Sequence, residues 1–342
     1  ATLGDALRDG LRLSRGMTRK NALAGLWWGG GKGVIVRGAD RAAHDTALRH
    51  AVYSDYGRFI TSLRGVYVTA EDAGTTPDDM RQIHQQTRFA TCIPPDVGGS
   101  GNPSIATARG VACGMEAAVE HAGWPSLAGR SVAIQGGGHV GAPLVGFLLE
   151  RGVARIVVHD IDDEVLRALR VDVAAAPVVL RHVEPADSSI VDESVDIFSP
   201  CALGAGLNPT TIPRIRARIV CGAANNQLED EQRDGRALHE RGILYVPDYL
   251  TNRMGIVNCA DEQYGYVTDD DAFTRHLGRE WDHSIYRLTR LVLQRADERG
   301  THPAHEADQL ADAYALRPHP IWGHRGRAII ASLVADDWSR AE

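Results

Sequence analysis

Three residues in the front part of the chain have the types and spacing to do chemistry. Lys20 and Lys32 lie in "GMTRKNALAGLWWGGGKGVIV" (16–36), and Asp72 lies in "VYVTAEDAGTT" (66–76). Lys32 follows two tryptophans and three glycines. Glycines let a backbone or small ligand come close, and aromatic rings keep water away. An ammonium withdrawn from water and set beside a second cation loses affinity for its proton, so that it can serve as a base near neutral pH. A nearby carboxylate could relay that proton. The opposing reading makes Lys20 a solvated helix residue, Lys32 a surface loop lysine and Asp72 a helix-cap acid, and on residue types alone the two stand level.

A second constellation lies in "SVAIQGGGHVGAPLVGFLLERGVARIVVHDID" (131–162). Gly136, Gly138 and Gly141 fit G-x-G-x-x-G, a weak signal alone. Here the pattern follows an apolar strand, opens a helix and precedes a second strand ending in an acid, which is the context a dinucleotide-binding turn requires. Gly136 permits the tight turn. Gly138 lets a pyrophosphate approach the backbone at a helix N-terminus, and Gly141 lets helix pack on strand. Asp160 is placed to accept from a ribose 2′-hydroxyl. Asp162, Asp163 and Glu164 follow it and would repel a 2′-phosphate, so NAD is expected rather than NADP. A structural βαβ unit without ligand is the alternative. His139, inside the turn, reads as exposed or supporting.

These groups need elements to position them. A helix is expected at the start, short strands at "GVIVRG" (33–38) and "VYVTA" (66–70), and a helix between them. Thr76, Pro77, Asp78 and Asp79 make a strong helix start. "CIPPDVGGSGNPS" (92–104) reads as a hinge loop. Strands then alternate with helices through "VDIFSP", "RIVCGAA" and "GILYVPDY", which predicts a parallel α/β sheet covered on both faces. Ligands sit beyond the carboxyl ends of such strands, which draws attention to Asn225, Asn226 and Asn252. The last third is helical and amphipathic.

Composition narrows the class. At 342 residues there is room for two domains, and 44% apolar with 24% charged residues is ordinary for a globular chain. A net charge of −7 offers no footprint for nucleic acid or an anionic membrane. Neither a membrane-spanning run nor a basic leader is visible. Five scattered cysteines without a CxxC pair suit reduced thiols in a cytoplasm, with no metal site expected. The chain opens at Ala1 already in helical rhythm (Leu3, Leu7, Leu11), which suggests that an N-terminal segment precedes it.

Taken together and in order, "GMTRKNALAGLWWGGGKGVIV", "TAEDAGTT", "SGNPS", "GAANNQL" and "VPDYLTN" resemble the glutamate/leucine/phenylalanine/valine dehydrogenase superfamily, its leucine-type branch most closely. The similarity runs to about Ala296. It implies an α/β protein of two domains, an α/β substrate domain and a Rossmann-type NAD-binding domain with a cleft between them. The expected division is 1–103 for substrate binding and dimerisation, 104–288 for NAD, and 289–342 as a helical segment packing back toward the first domain. By carry-over, Lys20 resembles the lysine that binds the substrate carboxylate, Lys32 the catalytic lysine that activates water, and Asp72 the acid that shuttles protons. Ala70 and Asn252 match substrate positions. Thr107, Cys201, Ala202 and Asn225 match cofactor positions.

The implied activity is reversible NAD-dependent oxidative deamination of an L-amino acid in a cytoplasmic homo-oligomer. No basic residue beyond the two lysines is set to receive a second carboxylate, which favours an apolar substrate. Departures bear on the pocket: Trp27 and Trp28 replace smaller residues, and Arg253 and Met254 follow Asn252 where small residues are usual. The family's glycine-rich substrate segment lies upstream of Ala1, the segment from Lys32 to Asp72 is longer, and the tail past "ADAYA" extends further. An aromatic or otherwise altered substrate is therefore one alternative, and a catalytically silent dinucleotide binder another. A 2-hydroxy-acid dehydrogenase fits less well, since that chemistry wants a His–carboxylate pair beside an arginine.

Overall fold

The computed structural model describes residues 3–36, 45–72, 74–172, 176–202, 204–265, 267 and 269–340. In chain order the helices α1 (Leu3–Ala24), α2 (Thr46–Ser62), α3 (Pro77–His84) and α4 (Ser104–His121) come first. There follow β1 (Ser131–Gln135), α5 (Gly141–Glu150), β2 (Arg155–Asp160), α6 (Asp163–Asp172), β3 (Val178–His182) and β4 (Ile197–Pro200). Next are β5 (Ile219–Cys221), α7 (Glu231–Glu240), β6 (Leu244–Val246), α8 (Asp248–Thr251) and α9 (Met254–Tyr264). The chain closes with α10 (Asp271–Thr274), α11 (Ile285–Arg299), α12 (Pro303–Ala315) and α13 (Arg325–Ala335). Two compact units result: residues 1–103, 256–269 and 313–342 make the first, and 104–255 with 270–312 make the second.

The first unit is mainly helical. Its core packs Tyr53 and Ile60 of α2 against Met80 and Ile83 of α3, with Ala90 and Ile93 beneath. Thr76 and Asp79 form the capping box that starts α3, and Pro77 occupies its first turn. Asp79 is almost fully buried, and a charge in that position needs a partner. Arg49 of α2 supplies it through two N–H donors at 2.6 and 2.5 Å. Among the described residues of 33–38 and 66–70, where strands are expected, no strand forms. Residues 33–36 are irregular, while 37 and 38 lie outside the described residues. Of 66–70 only Thr69 pairs, in a single parallel bridge with Ala90. A β-type run without a neighbour to complete its ladder stays irregular. The apolar stripe of α1 also fails to bury, and Leu3, Leu7 and Leu11 are 68, 59 and 72% exposed.

The second unit is built on a six-stranded parallel sheet in the order β3-β2-β1-β4-β5-β6. Val132, Ala133 and Ile134 of β1 and Ile156, Val157 and Val158 of β2 are fully buried, as expected when helices cover both faces. Each large aliphatic side chain so buried contributes about 1.5–3 kcal/mol relative to exposure. β3, which periodicity alone had not singled out, pairs with β2 from Val178 opposite Ile156 to His182 opposite Asp160. The strand order reverses at β1, and in such sheets the crevice at that reversal takes the ligand. The glycine turn sits there.

Gly141 allows that turn to close. A Cβ on it would lie 1.9 Å from the Gly136 carbonyl oxygen, whereas a Cβ on Gly146 of the same helix would meet nothing within 4 Å. Gly141→Ala should therefore lower unfolding free energy by about 2 kcal/mol or more, and Gly146→Ala should raise it by up to about 1 kcal/mol. Urea denaturation of both variants checks the pair.

Candidate active site

In the first unit, α1 ends where Gly25 turns into the left-handed region, with its N–H on the Ala22 carbonyl. The chain then folds back along α1. Asn21 donates its amide to the Gly29 carbonyl, and Ser14 donates its hydroxyl to the Gly30 carbonyl at 2.9 Å. A Cβ on Gly30 would lie 1.9 Å from the Ser14 carbonyl, and one on Gly33 would lie 1.8 Å from Tyr56 Oη. The Gly33 N–H donates to Tyr67 Oη at 2.9 Å. These glycines thus let the loop lie against helix and tyrosines rather than leave room for substrate, and Lys32 is fixed between two anchored neighbours. The tryptophans are placed otherwise than expected. Trp27 is half-exposed and meets His319 edge-on, and Trp28 faces Tyr264 at 6.2 Å.

Lys32 forms an ion pair with Asp72. Burial lowers the Lys32 pKa most, and the charge of Lys20 adds to it; Asp9 and Cys259 oppose, and the value settles at about 8. Asp72 sits in a short turn closed by Thr75, whose hydroxyl accepts from the Asp72 N–H at 2.8 Å. Arg49 holds the same turn by donating to the Gly74 carbonyl at 2.9 Å while it pairs with Asp79. Ala70, half-buried, follows directly on the Thr69–Ala90 bridge. Lys20, Lys32 and Asp72 are therefore brought together, and Arg49, which sequence reasoning missed, anchors the acid. Nothing in a helical "TALRHAV" distinguishes such an arginine from a solvated one.

In the second unit, the Gly136 N–H donates to the His159 carbonyl at 2.8 Å and the Gly137 N–H to Asp160 Oδ2 at 2.6 Å. Gly136 has φ 96, and its missing Cβ would lie 3.2 Å from the Ala202 nitrogen and from the Cys201 carbonyl carbon. Gly138 faces open space. Gly136, Asp160, Cys201 and Ala202 thus meet at the carboxyl ends of β1, β2 and β4. Beyond β5, Asn252 donates its amide to the Ala223 carbonyl at 2.9 Å and to Asn225 Oδ1 at 3.0 Å. Its own Oδ1 is buried with no protein donor. Asn226 is the loop cap, left-handed at φ 52 with its N–H on Asp248. Thr107 lies in the first turn of α4, and farther along that helix Gly110 and Gly114 pack against Thr251. Arg253 and Met254 are wholly buried, and Arg253 donates to the His283 carbonyl.

The residues of the turn fit a dinucleotide. A left-handed glycine, an open position at Gly138 and a carboxylate held at the end of β2 are what pyrophosphate and ribose need. Among the described residues no helix is long and apolar enough to cross a membrane, and no group of three or more His, Cys, Asp or Glu could hold a metal ion.

A nucleotide crevice on a parallel sheet, together with a low-pKa lysine paired to an aspartate, defines the class: an NAD(P)-dependent amino-acid dehydrogenase. The family model described as Glutamate/Leucine/Phenylalanine/Valine dehydrogenase matches residues 98–313, and the one described as Glu/Leu/Phe/Val dehydrogenase, dimerisation domain, matches 5–89. The chain belongs to this family. Leucine dehydrogenase of Geobacillus stearothermophilus is 48% identical over 263 residues, covering 77% of this chain and 68% of its own. Valine dehydrogenase of Streptomyces albus is 42% identical, covering 91% and 81%. The crystal structure of L-tryptophan dehydrogenase from Nostoc punctiforme superposes with a TM-score of 0.71 at 37% identity, over 92% and 84% of the two chains.

Since Lys20 depresses the Lys32 pKa, Lys20→Gln should raise it. The pH midpoint for labelling of Lys32 by an amine-selective reagent, read by peptide mapping, should move up by about half a unit or more. An unchanged or lower midpoint would show that burial alone sets the value.

Proposed function

We propose that the chain catalyses reversible oxidative deamination of an apolar L-amino acid of leucine or valine type. Amino acid, NAD⁺ and water give the 2-oxo acid, ammonium, NADH and a proton. The observation that carries this reading is the Lys32 amine, half-buried near Lys20, paired with Asp72 and lowered to about 8. Support for the substrate comes from the leucine and valine dehydrogenases at 48% and 42% identity.

In this reading the first unit handles the amino acid and the second holds the dinucleotide. Lys20 takes the substrate carboxylate by a charge-assisted hydrogen bond, which orients Cα. Ala70 and Asn252 complete that positioning. Asp72 receives a proton from the substrate ammonium. Neutral Lys32 removes a proton from the water that attacks the imine carbon, and as an ammonium it then stabilises the oxygen of the adduct. NAD⁺ supplies the hydride acceptor when bound. Gly136 and Gly138 would receive its pyrophosphate, with Gly141 letting the helix pack close enough to present its N-terminus, Asp160 would hold its ribose, and Thr107, Cys201, Ala202 and Asn225 would contact the remainder. Asp160 with Asp162, Asp163 and Glu164 behind it favours NAD over NADP.

A homo-oligomer is part of the same proposal. The exposed Leu3, Leu7 and Leu11 lie within the region matched by, or just preceding, the dimerisation model at 5–89, and a second copy would cover them. A cytoplasmic setting is supported by free thiols at Cys92, Cys113, Cys201, Cys221 and Cys259. An aromatic amino acid is the second reading, favoured by the tryptophan dehydrogenase likeness.

NADH absorbance with a panel of amino acids tests the proposal. Leucine or valine should exceed tryptophan and glutamate in kcat/KM, and NAD should exceed NADP by about 100-fold, the cost of two lost hydrogen bonds and a repelled phosphate. Turnover of tryptophan above leucine would shift the assignment to the second reading. Lys32→Ala should lower kcat by about 10³-fold while NAD binding persists; a variant as fast as the parent would remove the mechanism.

A further inference from the structure

Two cysteines that the proposed chemistry does not use touch each other in the first unit. Cys92 Sγ and Cys259 Sγ are 3.2 Å apart, and both residues are buried. We propose that Cys92 and Cys259 form a reversible disulfide on exposure to a hydroperoxide, and that this bond, tying the 92–100 loop to α9, lowers turnover. The effect on turnover rests on the assignment of Lys32 as the working amine; the bond itself does not.

The backbone is already arranged for it. Glu262, one turn beyond Cys259 on α9, accepts from the Cys92 N–H at 2.8 Å, the Ile93 N–H at 3.2 Å and the Ser100 N–H at 3.1 Å. One carboxylate thus holds the loop against the helix that carries the second thiol. The sulfurs need to approach by about 1.2 Å to reach bonding distance, within what side-chain rotation and small backbone shifts supply. Cys92 also sits at φ 58, a left-handed conformation that disfavours side chains, so it is held there by its surroundings. The hydrogen bond between the two thiols lowers the Cys259 pKa and raises that of Cys92. Cys259 is therefore the sulfur that reacts first.

The chemistry balances with one peroxide. The Cys259 thiolate attacks the O–O bond, giving a sulfenic acid and, after protonation, water or an alcohol. Cys92 sulfur then attacks the sulfenic sulfur, the S–S bond forms, and the hydroxyl leaves as water with the Cys92 proton. Two thiols are oxidised and one peroxide reduced. Burial restricts this to small oxidants reaching the pair through local opening. The consequence for activity follows from position: Cys259 lies close enough to Lys32 for its charge to raise the lysine pKa. Removing that charge and stapling α9 changes the field and the placement around the amine.

The test uses the full chain, reduced, freed of reductant and treated with hydrogen peroxide, then denatured with an alkylating reagent for mass mapping. Two of the five thiols should vanish, with the Cys92 and Cys259 peptides joined, and dithiothreitol should restore them. Turnover should fall about ten-fold in parallel and recover on reduction, since a small displacement of a catalytic group already costs this much. Cys92→Gly suits the left-handed backbone; it should keep parent activity and resist the peroxide. Five intact thiols, a link through other cysteines, or the expected link with unchanged turnover would overturn the proposal. A reduced chain inactive on every amino acid would instead defeat the functional assignment, and the thiol map alone would then decide whether the bond forms.

Discussion

An ammonium partly withdrawn from water is the constraint on which the first unit depends. Burial penalises the charged form of Lys32 and the positive charge of Lys20 penalises it again, while Asp9 and Cys259 oppose, so the amine is held near 8. Keeping it there requires a loop that cannot swing into solvent. Gly25 stops α1, Asn21 and Ser14 tie the returning strand of chain to that helix, and Tyr56 and Tyr67 close on Gly33 from the other side. The acid is fixed by separate means, through Thr75 and through Arg49, whose own position is dictated by the buried Asp79. Stability and site geometry thus share residues: the arginine that neutralises a buried carboxylate also sets the turn carrying Asp72.

The second unit solves a different problem by regular structure. A parallel sheet brings all its strand ends to one edge, and the reversal of order at β1 leaves a crevice there. Gly136 and Gly141 close the turn so tightly that a methyl group at Gly141 would strike backbone, while Gly138 stays open. Asn252 and Asn225 extend the same edge past β5 and leave one buried acceptor unmet. Rigid packing of α4 on Thr251 supports that edge from below.

Much of this was legible in the residues. The strand–turn–helix around Gly136 carries its own context, and Thr76-Pro77-Asp78-Asp79 marks a helix start through side chains that satisfy backbone donors locally. Lys20, Lys32 and Asp72 could be named because each lies in a distinctive stretch. Where tertiary contacts decide, the residues alone misled. The β-type runs near Val34 and Val66 lack a pairing partner, so propensity had no ladder to express it. β3 escaped notice because it is a partly exposed edge strand bearing Arg181 and His182, with little apolar signal. Arg253 and the two tryptophans looked like changes to a pocket, yet Arg253 lies in the interior and the tryptophans pack against His319 and Tyr264. Glu262 and Arg49 gave no local sign, since their partners are distant in the chain.

The most direct measurement is the titration of the Lys32 amine itself, followed by NMR in the complete chain with labelled lysine and assigned by comparison with Lys32→Arg. A midpoint near 8 is predicted from its burial beside Lys20. A midpoint at the ordinary lysine value of about 10.4 would contradict it, and would return Lys32 to the status of a solvated surface cation.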